Sequence, residues 1–504
     1  VDNEYKYNNQ NKDVMFMSMG ITLIYPNFKR NMSQPPTGVM SLAAYLREND
    51  VPVKILDTNL IKTEEELKDE IKKNENDIMG ISCMTPFLEN SLNIVGYVKE
   101  IMPKTPVILG GPHPTVLPRE TLKIRGVDYI VIGEGEITLL ELIKTIEKGR
   151  SLAKVKGIGY KEGGKIKITE PRPPIENLDE LPMPARDLLP TFDYYCERFG
   201  IDYFTEPPAT TMFTSRGCPF NCNFCQPTVH NLFGRKTRFR SPEKVVEEII
   251  FLKKKYGINK IYFQDDTFTL DKQRVHNICR LIKENDLHLR WAINSRVNTV
   301  NRELIFAMKK AGCENISFGV ESCSQKILNN MNKGTIVEQE IDAFRWCNEA
   351  KMFTVCNLML GYPGETMETM NETRIGIRTL RPDRIDLHIT FPEPGTVLYE
   401  QVVKSCIFKK DYMDYAKYSR HAHKCPLKLD VTDKQIVDME KQIYKEFRNL
   451  KRSYILDPKK WYSVRHELRI MMTMKKKPKK MLGHMLRAIS YRDALKPVYE
   501  RLLK

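Results

Sequence analysis

The chain of 504 residues carries 80 Lys/Arg against 64 Asp/Glu, a net charge of +16, with 41% hydrophobic and 29% charged residues. That composition fits folded globular domains, and the length calls for two or three of them. No apolar run approaches the roughly 18 residues that cross a bilayer, which excludes an integral membrane helix. Residues 441–504 hold 19 Lys/Arg against 5 Asp/Glu, so the excess charge sits in a C-terminal appendage and not in the body of the protein.

Residues 1–11 read as a loose polar tail. From residue 12 to 150, strand-like runs at 14–24, 53–57, 78–82, 107–111 and 129–133 alternate with helical stretches at 39–48, 63–74 and 88–102, a doubly wound, Rossmann-like parallel sheet. Thr63 is placed to cap its helix, with Glu66 at the capping-box position. Residues 151–205 form a connector: a hairpin at 157–168 with Gly163-Gly164 at the turn, then a proline-rich strap, with Tyr194, Tyr195, Tyr203 and Phe204 near its end as core-packing or channel-lining aromatics. Between 206 and 430 a second series sets strands at 210–215, 260–264, 289–294, 315–320, 353–361 and 384–390 between helices, as in an open (β/α)6 barrel. Ser241 is placed to cap one of those helices, with Pro242 in its first turn. Residues 431–504 are helical and basic.

The first strand of the second series leads into Cys218-Pro-Phe-Asn-Cys222-Asn-Phe-Cys225, preceded by Gly217. Three thiolates on one short loop can take three corners of an iron–sulfur cubane and leave the fourth iron open. Zinc would need a fourth ligand, for which His230 is the near candidate. Disulfides are not expected, because no secretory signal is read and the setting is intracellular and reducing. The C-x3-C-x2-C spacing, with Phe224 before its last cysteine, resembles the signature of the radical S-adenosylmethionine (SAM) superfamily. The resemblance implies a [4Fe-4S] cluster on Cys218, Cys222 and Cys225 that cleaves SAM to a 5′-deoxyadenosyl radical. It also implies an electron donor such as flavodoxin or ferredoxin. SAM is then expected at Phe224 and at the strand ends that carry Asp265, Arg296, Glu321, Ser322 and Gly361. Loop and cap duty is the alternative for Asp265, and a structural ion pair for Arg296.

In the first series the strand ends carry Pro35-Pro36-Thr37-Gly38, Ser82-Cys-Met-Thr85, Gly110-Gly111-Pro-His113 and Gly133-Glu134-Gly-Glu136, and ligands of such sheets lie across those ends. Their order resembles the cobalamin-binding domain that precedes the radical domain in cobalamin-dependent radical SAM enzymes. This second resemblance implies a cobalamin held by Pro36, Gly38, Ser82, Thr85, Gly110, Gly111, His113, Gly133 and Glu134. No Asp-x-His-x-x-Gly occurs, so the lower face of cobalt has no evident histidine, and His113 is as readily a loop-shaping residue as a cobalt contact.

The implied reaction is methylation of an unactivated carbon of a small-molecule or lipid-like substrate. The alternatives are an oxidative ring closure like that of the anaerobic magnesium-protoporphyrin ester cyclase, and a binding protein without chemistry. The basic tail, 441–504, is read as a solvated face or as contact with an anionic membrane surface, giving a cytoplasmic protein, peripheral at the inner membrane face if the tail binds there. Nucleic acid is disfavoured because no stacking-rich module accompanies the charge.

Overall fold

The computed structural model describes residues 18–28, 34–202, 208–409 and 425–474. The polar tail, Tyr203, Phe204 and the lysine run at 475–480 lie outside the described residues.

The N-terminal sheet contains β1 (Ile21–Tyr25), β2 (Val53–Asp57), β3 (Ile78–Ser82), β4 (Val107–Gly110) and β5 (Tyr129–Val131), all parallel, in the order β2-β1-β3-β4-β5. The connector hairpin, β6 (Ile158–Glu162) and β7 (Lys165–Ile168), adds to the same sheet: β6 pairs antiparallel with β5, with Ile130 opposite Gly159. It thereby covers an edge that β5 would otherwise leave open.

Thr63 caps the helix Glu64–Lys73 by accepting from Glu66 N at 3.1 Å, and Glu66 returns a bond to Lys62 N at 2.9 Å, one residue earlier than a capping box. Each face of this sheet is apolar, as a parallel sheet requires. Ile24, Leu56, Ile81 and Leu109 fill one core, whereas Ile21, Leu23, Ile78 and Ile108 join a second core continuous with the C-terminal half of the chain.

That half is built on β8 (Thr210–Met212), β11 (Lys260–Phe263), β12 (Arg290–Ser295), β13 (Cys313–Glu321), β14 (Phe353–Leu360) and β15 (Arg384–Ile389), parallel and in sequential order. Sequential parallel order with a helix between strands is the open barrel. A two-stranded ribbon, β9 (Ser215–Arg216) against β10 (Arg238–Phe239), stands beside the end of β8. Ser241 caps the helix Pro242–Tyr256 by accepting from Lys244 N at 3.3 Å.

The helices Asp433–Leu456 and Trp461–Met474 pack back onto the barrel through buried charge. Lys451 donates to the Asp383 carbonyl at 2.8 Å and to Glu467 at 2.7 Å, and Lys460 pairs with the Asp383 carboxylate at 2.9 Å. Part of the basic appendage is therefore structural, its lysines neutralised just ahead of β15. Among the described residues, no helix is long and apolar enough to cross a membrane.

Candidate active site

The loop that carries the three cysteines leaves β9 through Gly217, whose φ of +88° suits glycine and whose missing Cβ keeps clear of the Lys236 carbonyl. Its root is fixed by Asp265, fully buried after β11. Asp265 Oδ1 accepts from Thr214 N (2.8 Å) and Ser215 Oγ (2.5 Å), and Oδ2 accepts from Thr214 Oγ1 (2.9 Å). Its far side is tied to 330–333 and to the helix Val397–Lys404: Asn223 N donates to Met331 O (2.9 Å), Asn332 Nδ2 to Asn221 O (2.9 Å) and Leu398 N to Asn223 O (2.8 Å).

A loop so held presents its thiols in a fixed array. Cys222 is buried, while Cys218 and Cys225 are half-buried. Burial, and then the neighbouring Asp266 carboxylate, push the Cys225 thiol up to about 12, and burial also raises Cys218. Metal binding would release their protons.

Among the described residues, no three His, Cys, Asp or Glu side chains converge on a point that a single ion would occupy. His230 Nε2 donates instead to the Cys218 carbonyl at 2.9 Å. Zinc needs convergent ligands, whereas a cubane takes each thiolate on a separate iron. The donor set fits a [4Fe-4S] cluster with one iron left for a non-protein ligand.

Two cations stand beside this loop. Arg296, after β12, is 6% exposed; its Nη1 donates to Cys222 Sγ at 3.2 Å and its guanidinium lies 3.8 Å from the Phe220 ring centroid. Lys333 Nζ lies 5.6 Å from the Phe224 ring centroid and pairs with Glu321 Oε1 at 2.9 Å. Glu321 ends β13 at a register shift with φ +69°, a left-handed conformation that a non-glycine residue adopts under strain. Gly319 makes room for the pair, since a Cβ there would fall 2.6 Å from Glu321 Oε1.

The remaining candidates of the barrel are engaged within the chain. Ser322 Oγ bonds with Thr373 Oγ1 at 3.0 Å, fully buried. Gly361, at φ +79°, donates its N–H to Glu365 and packs on Cys425.

Two strand-end loops of the first sheet touch the second half: Thr37 Oγ1 lies 3.2 Å from Thr211 Oγ1, and Gly133 faces the Leu232 carbonyl. A Cβ added to Gly38 would meet nothing within 4 Å, and Gly111 (φ +102°) and Gly133 (φ +77°) hold backbone that a side chain would strain. Gly38 leaves open space for the close approach of a large planar cofactor, whereas Gly111 packs on the Cys83 backbone and Gly133 faces the second half. Thr85 Oγ1 bonds with His113 Nδ1 at 3.2 Å, and His113 is 5% exposed. Pro36 is buried at the mouth of the helix Thr37–Glu48, and Ser82 and Gly110 end neighbouring strands.

Glu134 faces the other half of the protein. It pairs with Arg216 at 2.8 Å and Arg238 at 2.8 Å, and it accepts from Ile175 N at 2.7 Å. Glu136 takes the second Arg216 nitrogen at 2.5 Å. Arg216, Arg238, Glu136 and Lys333 were not singled out from sequence. The exposed-looking run Gly133-Glu-Gly-Glu136 and the glycine after Lys333 are the local traces that these residues leave.

Residues 212–374 match the Radical SAM superfamily and residues 28–143 match the B12 binding domain. Side by side on two parallel sheets, they define a radical SAM enzyme with a cobalamin-binding domain. An uncharacterized methyltransferase of Pyrococcus horikoshii is 37% identical over 416 residues, covering 82% of this chain and 87% of its own. The anaerobic magnesium-protoporphyrin IX monomethyl ester cyclase of Rubrivivax gelatinosus is 30% identical, covering 80% and 72%. The solved structure of the cobalamin-dependent SAM radical enzyme OxsB, with aqua-cobalamin and SAM bound, aligns with a TM-score of 0.70 at 18% identity over 96% of this chain and 80% of that one. The chain belongs to the cobalamin-dependent radical SAM enzymes, whose cofactors are a [4Fe-4S] cluster, SAM and cobalamin.

Proposed function

We propose that this enzyme methylates an unactivated carbon of a small-molecule or lipid-like substrate. The observation that carries the reading is the junction of the two halves: Glu134 and Glu136 of the cobalamin domain grip Arg216, two residues before Cys218. One substrate atom can then be reached from both sides. The likeness to a methyltransferase over most of the chain supports the same reaction.

When bound, the cluster with SAM supplies a hydrogen-abstracting radical, and cobalamin supplies a methyl group. The chain's own residues do the rest. Cys218, Cys222 and Cys225 hold the cluster, on a loop anchored by Asp265 and Asn223. Phe224 and the Glu321–Lys333 pair offer a stacking face and both signs of charge to the zwitterionic end of SAM. Gly38, Ser82, Thr85, Gly110, Gly111 and Gly133 form the cobalamin surface, with His113 behind it. The Pro392-Glu-Pro-Gly395 turn seals the barrel side against the cobalamin domain, where Gly395 packs on Val116; a closed junction excludes water from reactive species. A flavodoxin- or ferredoxin-type protein delivers the electron, and an anionic membrane surface is the partner read for the basic region 441–504, of which Lys451 and Lys460 are already engaged by the barrel.

A second reading, oxidative ring closure, is favoured by the relative from Rubrivivax gelatinosus. Reconstituted protein incubated anaerobically with SAM, hydroxocobalamin and a strong reductant discriminates between them. Methylation yields 5′-deoxyadenosine and S-adenosylhomocysteine together, both lost in the Cys218→Ala/Cys222→Ala/Cys225→Ala variant. Deoxyadenosine alone, in the presence of a processed substrate, rejects methylation in favour of ring closure.

A further inference from the structure

We infer that Arg296 is a positioning residue of the cluster: it holds the Cys222 sulfur and raises the potential at which the cluster accepts its electron. This rests on the cluster being carried by Cys218, Cys222 and Cys225. The sequence alone sets a different expectation, namely that Arg296 contacts SAM or forms a structural ion pair.

The geometry separates the two roles. Arg296 is 6% exposed, and each of its guanidinium nitrogens is engaged by the protein: Nε with Asn298 Oδ1 at 3.4 Å, Nη1 with Cys222 Sγ at 3.2 Å and Nη2 with the Lys333 carbonyl. Its flat face rests on Phe220, 3.8 Å from the ring centroid, so the ring and the carbonyl fix the plane of the fork. Release of Arg296 to a ligand would break that set.

Charge makes the same point. A buried guanidinium is ordinarily matched by a carboxylate, because removing a cation from water is costly unless it is paired. Among the described residues, Arg296 forms an ion pair with no Asp or Glu; its polar partners are an amide, a carbonyl and a cysteine sulfur. A cluster ligated through Cys222 would place its negative charge at that sulfur, against the N–H that Arg296 already directs there at 3.2 Å, and the contact would then be charge-assisted. A ligand to the metal is thus oriented from outside by a permanent cation.

The consequence is redox. One electron adds one negative charge to the cluster, and a fixed cation with an N–H directed at a ligand sulfur stabilises the reduced form more than the oxidised one, in surroundings that screen charge poorly. Hydrogen bonds to the sulfurs are among the levers that set such potentials. Lys333, whose carbonyl Arg296 holds, sits at the other side of the loop on Glu321, so the same residue also fixes the place of that pair.

The test uses reconstituted full-length protein without SAM. EPR-monitored redox titration of Arg296→Lys and Arg296→Gln should show midpoints more negative than wild type, with Gln displaced further because it lacks the charge. Iron affinity should fall about 10- to 100-fold, as for other residues that orient a ligand. SAM affinity, measured separately on the oxidised cluster, should stay within about threefold, far from the loss of a charged pair.

An unchanged midpoint, with or without a large loss of SAM affinity, overturns the inference; with that loss, the residue returns to SAM binding. If neither variant retains a cluster, wild-type protein labelled with 15N-arginine decides. Pulsed EPR of the reduced cluster should show a nitrogen coupling that changes with the label, and absence of that change overturns the inference. Wild-type protein without iron, sulfide or a cluster signal would instead remove the assignment of the three cysteines, a distinguishable failure.

Discussion

Arg216 Nη2 donates to Glu136 Oε1 at 2.5 Å, and the bond joins the cobalamin domain to the strand that launches the cysteine loop. Both side chains are largely withdrawn from solvent, at 18% and 5% exposure. With Glu134 and Arg238, they form a two-by-two cluster at the boundary between the halves.

Removal of one partner should be costly. Arg216→Met leaves Glu136 buried without its cation, and such a loss costs about 3–5 kcal/mol. Urea denaturation should report it, with faster proteolysis of the connector. Burial opposes ionisation of Glu136, but Arg216 overrides it and holds the carboxyl below its ordinary 4.5. The folded state therefore binds this proton less readily than the unfolded one, so the contribution is full above pH 4.5 and is lost as the pH falls through the folded value. Acid titration of wild type should show this loss, and Glu136→Gln should flatten it.

Glu340 gives the opposite sign. It is fully buried in the helix Val337–Glu349, where burial pushes its carboxyl up to about 9. Between 4.5 and 9 the folded protein keeps a proton that the unfolded chain releases, so stability declines as pH rises through that window. The slope is at most about 1.4 kcal/mol per pH unit. Glu340→Gln should raise Tm at pH 7.5 and lose that advantage near pH 4.5.

Gly319 is the steric condition for the Glu321–Lys333 pair. A Cβ would fall 2.6 Å from Glu321 Oε1 and 3.0 Å from Lys333 Nζ. Gly319→Ala should weaken SAM binding by about tenfold or more, the worth of one charged hydrogen bond, with iron content unchanged. Equilibrium dialysis of SAM and iron analysis on the same preparation check both halves.

Asp383 holds the C-terminal helices. Asp383→Asn leaves Lys460 without its carboxylate, at a cost of about 3–5 kcal/mol, while Lys451 keeps the main-chain carbonyl of the same residue and Glu467. Hydrogen exchange should rise first in residues 433–474, while cobalamin binding persists.

The strands were legible because apolar runs of four to nine residues recur between helical stretches, and the six barrel strands fall where that pattern sets them. The cysteine loop was legible because all its ligands are local. What escaped depends on contacts distant in sequence. Nothing in Glu136 or Arg216 alone announces a pair 80 residues apart. The hairpin reads as a separate unit until β5 supplies its partner. The lysines of the last helices read as solvated charge, since the aspartate that buries Lys451 and Lys460 lies 68 and 77 residues earlier. Asp265 sits at a strand end as the pattern sets it, and its two oxygens accept from Thr214 and Ser215, the loop duty that stands as its alternative reading.

The direct measurement is of proximity between the two cofactors. Protein holding cob(II)alamin and the cluster would be examined by EPR with the cluster oxidised and then reduced, alongside the Cys218→Ala/Cys222→Ala/Cys225→Ala variant loaded with cob(II)alamin alone. If the strand ends of both sheets enclose one site, reduction of the cluster broadens the cob(II)alamin signal and speeds its relaxation in wild type, and the variant shows neither change. A cob(II)alamin signal indifferent to the redox state of a fully loaded cluster would contradict a shared site.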